Sequence, residues 1–259
     1  PMHDRILLGH SFDFSDFQLT RQATGSWYLP PHLAAKADAI WAADVARLTK
    51  LGVKIWDGDP YRVEQPELLQ HVQPGEPIKL TIAPIKYRWL HAFAQLREEM
   101  LADPRSHNNH FSVGGPILTS DGWYVLGERS GKTTSSHPHD FIGGGINEDE
   151  VVAKSGDDVK QVHFDELLEE ANIRAENVAA THGLGIVQAQ STAILVFFLT
   201  KLNITREQLA AQFVHRSDPE MSGLVFIVHD EFVPYLTKLG EYHALVGELL
   251  MKRANSSGS

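Results

Sequence analysis

There is no cysteine among the 259 residues, which removes disulfides, thiolate metal sites and a cysteine nucleophile from consideration. A chain without staples must hold itself by its core, and 42% hydrophobic residues over this length can build one. Basic residues are in deficit: 23 lysines and arginines face 33 aspartates and glutamates, a formal charge of −10. A surface of that sign does not release the counterions of a phosphate backbone, so a general nucleic-acid partner is excluded. Long apolar runs are also lacking. The longest, Ala193 to Leu199, is far too short to cross a bilayer, and residues 1–20 have neither the basic start nor the continuous apolar stretch of a signal peptide. No repeat, low-complexity tract or Pro/Gly/Ser linker divides the chain. The expectation is a cytoplasmic protein in a reducing compartment, with no membrane partner.

The hydrophobic periodicity gives a coarse order of elements. Leu33, Ile40, Trp41, Val45 and Leu48 predict an amphipathic helix over 32–50, ending before Gly52. Short strands are predicted at 53–56 and 78–82, and a helix over 87–101 is closed by Asp103-Pro104. From Phe111 the texture turns to β: a strand over 111–119, the turn Ser120-Asp121-Gly122 and a strand over 123–128 form a hairpin. Strands at 186–187, 193–199 and 224–228 and helices at 205–213 and 231–250 complete an α/β pattern with a mixed sheet.

One segment imitates a phosphate-binding loop. Gly127-Glu-Arg-Ser-Gly131-Lys132-Thr133 follows a predicted strand, but three residues separate its glycines where a P-loop needs four. Arg129 and Lys132 remain as isolated phosphate contacts or a solvated turn. His137-Pro138-His139-Asp140 suggests a transition-metal site but lacks a convincing third ligand at fixed spacing, and His107 and His110 read as loop surface or substrate rim.

The acidic helix Asp165-Glu166-Leu167-Leu168-Glu169-Glu170 carries more information. At 100° per residue, with Glu166 set to 0°, Glu170 falls near about 40° and Glu169 near about 300°, while Phe164, Leu167, Leu168 and Ala171 cover the far side. Most helices with such a face simply meet water. Like charges at i, i+3 and i, i+4 still repel, and no lysine or arginine within the segment offsets them. A divalent cation with oxygen ligands would. Upstream, Phe141-Ile142-Gly143-Gly144-Gly145 looks like a short strand entering a glycine turn, where a bare carbonyl can approach a cation or a diphosphate.

This arrangement resembles the Nudix box. Asp165-Glu166-Leu167-Leu168-Glu169-Glu170-Ala171-Asn172-Ile173 matches its second half and Gly144-Gly145 its start, with three glutamates and both bulky positions retained. Asp165 stands where the box has arginine and Asn172 where it has glycine. The 21 positions from Gly145 to Glu166 are six more than the standard box, which leaves its first glutamate open between Glu148 and Glu150. The hairpin ending at Arg129 resembles the one that precedes the box in many Nudix proteins. Within the superfamily the chain is most similar to the unconventional hydrolases that cleave UDP-glucose and UDP-galactose. That similarity runs from the Ile40-Trp41 helix to Glu220–Phe226 and is weak over the first hundred residues.

The resemblance implies a Nudix-type α/β/α sandwich with a mixed sheet: an N-terminal α+β extension (1–105), a catalytic domain (106–253) and a flexible tail (254–259). It implies metal held by Gly145, Glu166, Glu169 and Glu170, catalysis by Glu166, Glu169, Glu170 and Glu220, and substrate contacts from Arg129, Gly144 and Tyr87. The cofactor would be Mg²⁺, with Mn²⁺ an acceptable substitute. The ligand would be a nucleoside diphosphate joined to another group, a UDP-sugar cleaved to UMP and sugar 1-phosphate. A nucleotide-binding sensor that has lost turnover through the box changes is the alternative. Nudix proteins often form homo-oligomers, and the sequence identifies no interface. Trp89 and Trp123, like Tyr87, are candidates to stack on a base, although core packing is the commoner fate of such rings.

Overall fold

The computed structural model describes residues 3–50, 57–130 and 138–256. Its first half contains β1 (Arg5–Leu8), β2 (Phe17–Arg21), α1 (Pro31–Lys50), β3 (Tyr61–Glu64), β4 (Ile78–Pro84) and α2 (Tyr87–Leu101). There follow β5 (Phe111–Gly115), β6 (Ile117–Leu118), β7 (Trp123–Arg129), β8 (His139–Asp140), β9 (Ile142–Gly145) and α3 (Gly156–Ala171). The last group is β10 (Val178–Gln188), β11 (Ile194–Leu202), α4 (Arg206–Phe213), β12 (Met221–Val228), α5 (His229–Leu239) and α6 (Glu241–Ser256). The strand expected at 53–56 lies outside the described residues. Among the described residues no helix is long and apolar enough to cross a membrane.

The fold is the expected α/β/α sandwich. A mixed nine-stranded sheet runs β1-β10-β11-β6-β7-β12, with β5 between β11 and β9 and with β8 on β7. β11 explains its apolar run: its residues alternate between the two faces, Phe197 and Leu199 packing toward α5 and α6, Val196 and Phe198 toward the opposite layer. That opposite layer holds α3, α4 and a second sheet, β2-β4-β3. A further cluster joins α1 to α2 through Leu33, Ala37, Phe93, Leu96 and Met100.

Segment 1–105 does more than pack alongside the large sheet. β1 pairs antiparallel with β10, with Arg5 opposite Gln188, and α6 extends to Ser256, into the segment expected to be a flexible tail. The helix expected over 231–250 is two helices, broken at Gly240 (φ 73°).

The strand expected over 111–119 is also two. β5 and β6 both run parallel to β11, but β5 pairs onward with β9 and β6 with β7, so the sheet forks between them. The fork is made by Gly115-Pro116. Gly115 has φ 147°, and a side chain there would strike the Phe198 backbone. Pro116 then has no N–H for a ladder.

Candidate functional site

The fork opens a cleft of about 380 Å³ whose lining includes Tyr87, Arg129, Gly144, Gly145, Glu166 and Glu220, six of the residues singled out from the sequence. The floor is β9 against α3. The helix begins at Ser155, whose N–H donates to the Asp158 carboxylate at 2.9 Å. It ends at Asn172, which adopts the left-handed conformation (φ 53°, ψ 35°) that glycine would supply at a helix terminus. Its side-chain amide donates to the Gln212 carbonyl at 2.9 Å. Leu167 and Ala171 are buried among Ile117, Ile142 and Leu209, which fixes the helix rotation.

That rotation brings the acidic face to the glycines. Glu170 is buried, and its Oε2 accepts the Gly143 N–H at 3.0 Å. Glu166 is so close to Gly144 that a β-carbon there would collide with its carboxylate. Glu169 is exposed and does not line the cleft. Burial, then the charges of Glu170 and Glu169, push the Glu166 carboxyl up to about 8. Burial pushes Glu170 up to about 7, against the opposing effects of the Gly143 amide and Arg129. Burial and the charges of Asp165, Asp218 and Glu150 raise Glu169.

The two glutamates left open upstream separate. Glu148 is paired with Arg21. Glu150 is the one whose charge bears on Glu166 and Glu169. Asp165, in the arginine position of the box, accepts from Gln161 at 2.8 Å and lines a separate cavity on the outer side of α3.

Across the cleft, Arg129 at the end of β7 is held by Glu220 and by Asp140 Oδ2 at 3.2 Å. Its Nε is buried and has no hydrogen-bond partner among the described residues. The Glu220 N–H donates to Asp218 Oδ1 at 2.6 Å, and the Asp218 N–H to the Glu169 carbonyl at 3.0 Å, which ties this loop to α3. Asp140 is the buried hub of this wall, its Oδ1 accepting from the Phe141 N–H (2.8 Å) and Tyr242 Oη (2.9 Å), with His243 Nε2 at 3.2 Å. Burial alone would raise its carboxyl, but the hydrogen bond with His243 and the Arg129 charge hold it below the usual range.

Sequence reasoning missed Tyr242 and Asp218, and set Asp140 aside with the His137-Pro138-His139 motif, because their contacts are with distant residues and form no local pattern. His110, read as loop or rim, lines the cleft wall, and burial pushes its imidazole down to about 4. Trp89 stacks on Trp27 at 4.4 Å, and Trp123 carries the Arg206 guanidinium over its face at 4.2 Å, so neither ring is in the cleft. His139 meets the Tyr235 hydroxyl. His137 and Lys132 lie outside the described residues.

Among the described residues no three histidine, aspartate or glutamate side chains form a ready metal cage. The donor set nonetheless suits a hard cation: carboxylates that burial and mutual repulsion leave short of positive charge, beside a glycine strand that lets backbone oxygens come close.

No family model matches the chain, and no curated protein matches it. Solved structures with a similar fold include the Nudix domain of Shewanella oneidensis NrtR complexed with ADP ribose. It is 15% identical, with 61% of this chain and 97% of that chain covered and a TM-score of 0.41. A Nudix hydrolase from Nitrosomonas europaea is 14% identical over 57% and 89% of the two chains, with a TM-score of 0.35. RenU, a Nudix hydrolase from M. smegmatis, is 12% identical over 57% and 86%, with a TM-score of 0.35. At such distances the functional reading rests on this chain's own residues.

Proposed function

We propose that the chain is a divalent-metal-dependent pyrophosphohydrolase of the Nudix type, acting on a nucleoside diphosphate joined to another group. The class proposed is UDP-sugars, cleaved to UMP and sugar 1-phosphate. Residues 106–253 would form the catalytic unit and 1–105 the extension packed on it. The observation that carries the reading is Glu166 lying against Gly144 in a cleft that also contains Arg129, with Glu170 buried behind it on the Gly143 N–H.

Glu166, Glu169 and Glu170, with a carbonyl from Gly144 or Gly145, would hold Mg²⁺ or Mn²⁺. Bound there, the metal would neutralise the diphosphate, acidify a water and stabilise charge on the phosphoryl oxygens. The Arg129 guanidinium lines the cleft, and its ion pairs with Asp140 and Glu220 would fix where it meets a phosphate oxygen. Glu220 or one of the helix glutamates accepts the proton of the attacking water. As the new P–O bond forms, the bridging P–O bond breaks and both products leave as phosphate monoesters. Tyr87 at the cleft edge would stack on a ring of the substrate.

A second reading has its own observation. Arg129 is already engaged by two carboxylates and Asp165 supplies no positive charge, as would suit a sensor that binds a nucleotide without cleaving it.

The test is product release from UDP-sugars, ADP-ribose, dinucleoside polyphosphates and CoA with Mg²⁺, for wild type and for Glu166→Gln. UDP-sugar turnover that falls at least about 100-fold in the variant supports the hydrolase. Turnover of another substrate keeps the mechanism and overturns the substrate class. Ligand-induced thermal stabilisation without turnover establishes the sensor.

A further inference from the structure

A larger cavity of about 720 Å³ shares Tyr87, His110 and Tyr242 with the catalytic cleft and continues beyond them. It is built by α2 with Asp44 of α1, the segment before β5 at Asn108 and His110, the turn between β10 and β11, and the junction of α5 and α6 at Glu241. Its walls are tied together. Arg97 donates to the Gln190 side chain at 2.8 Å and to its carbonyl at 3.2 Å. The Asn108 side chain donates to the Ser191 carbonyl at 2.9 Å, and its N–H to the buried Thr192 hydroxyl at 3.0 Å. α2 departs from helical geometry at Leu96, next to Arg97.

The lining does not suit a phosphate. Its arginine is committed to Gln190, its carboxylates Asp44 and Glu241 are repulsive to an anion, and His91 is paired with Asp44 at 2.7 Å. It does suit a neutral group bearing a flat ring and polar edges. Tyr87, His110 and Tyr242 form an aromatic passage, Leu90, Phe93, Ala94 and Ala193 add apolar surface, and Gln95 and Gln190 bring amides. The volume also favours the bulkier half of the substrate, because the 380 Å³ of the cleft is left for the diphosphate and a small appended group.

We infer that this cavity is the nucleoside subsite, taking base and ribose while the diphosphate lies in the cleft, so that base selectivity is set by α2 and the β10–β11 turn. The inference rests on the pyrophosphohydrolase reading. Ala94 is exposed on α2, outside the catalytic machinery, and tolerates a larger side chain without disturbing the core. Calorimetric binding of UMP, glucose 1-phosphate and inorganic pyrophosphate, with Mg²⁺, is measured for wild type, Ala94→Trp and Gln95→Ala. The expected result is UMP affinity reduced at least 10-fold by Ala94→Trp and severalfold by Gln95→Ala. Pyrophosphate affinity and Tm should be unchanged in both. Loss of glucose 1-phosphate affinity with UMP unaffected would overturn the inference by placing the sugar half there, and unchanged affinities would show that the cavity is no subsite. If wild type bound none of the three, the parent reading would fail first and the subsite with it.

Discussion

Glu166 and Glu170 are carboxyls that the folded chain holds in a setting unfavourable to their charged form. Because their folded values lie above the unfolded ones, the stability they contribute is fully present at acid pH. It is lost as pH rises toward about 8. Metal-free wild type should therefore lose thermal stability between acidic and mildly alkaline pH. Glu166→Gln, which removes the charge, should flatten that loss and raise Tm at pH 8 by a few degrees while turnover collapses. Added Mg²⁺ should raise the Tm of wild type much more than that of the variant. Equal shifts in the two proteins would place the cation elsewhere.

His163 gives the opposite dependence. It is buried between Phe14 and Phe198, with Nε2 on the Thr200 hydroxyl at 2.9 Å and Nδ1 without a partner among the described residues, and burial pushes it down to about 4. The unfolded chain takes up this proton first, so stability drops as pH falls from the ordinary histidine range toward 4. His163→Leu should reduce the difference in unfolding free energy between pH 7 and pH 4.5 by about 2–3 kcal/mol, read by urea denaturation at both. Parallel profiles in the two proteins would rule this out.

At the scale of elements, α3 is set by its ends as much as by its faces. Asn172 satisfies a left-handed terminus and also bonds Gln212, so Asn172→Gly exchanges a hydrogen bond for an easier backbone and should stay within about 1 kcal/mol of wild type. Asn172→Ala loses both and should cost about 1–2 kcal/mol in chemical denaturation. α2 and α4 were legible because their apolar spacing and stop signals are local, whereas α3 was read only over its acidic half, Asp165 to Glu170, and not at its start by Ser155. β11 was legible because both its faces are buried. β10 was read only at its apolar end, Ile186-Val187, since Ala179 to His182 carry little alternation and owe their strand state to pairing with β11. The fork was missed because Gly115-Pro116 marks a break without naming the partners on either side. The site followed the same rule. Glycines and glutamates within one loop and helix could be read, whereas Asp140 and Tyr242, 102 positions apart, meet only in the fold.

For the whole molecule, one core cluster joins the two halves of the chain: Leu7, Phe17, Tyr61 and Ile78 pack with Phe111, Val159, Ile186 and Phe198. A chain beginning at residue 106 would leave much of this surface in water and β10 without its β1 partner. It should be insoluble or lack fixed tertiary packing, with strong binding of a hydrophobic dye and weak near-ultraviolet dichroism. A sharp, cooperative unfolding transition from that fragment would show that the first hundred residues are dispensable to the fold.

The pairing of β1 with β10 also bears on how the chain is made. Arg5 hydrogen-bonds Gln188 across a separation of 183 positions. At roughly 5–20 residues per second, a ribosome needs on the order of 10–40 s to produce the second after the first. During that interval Leu7 and Leu8 have no strand to join. Slowing elongation lengthens their exposure to chaperones and to other nascent chains, so the yield of active protein should depend on translation speed.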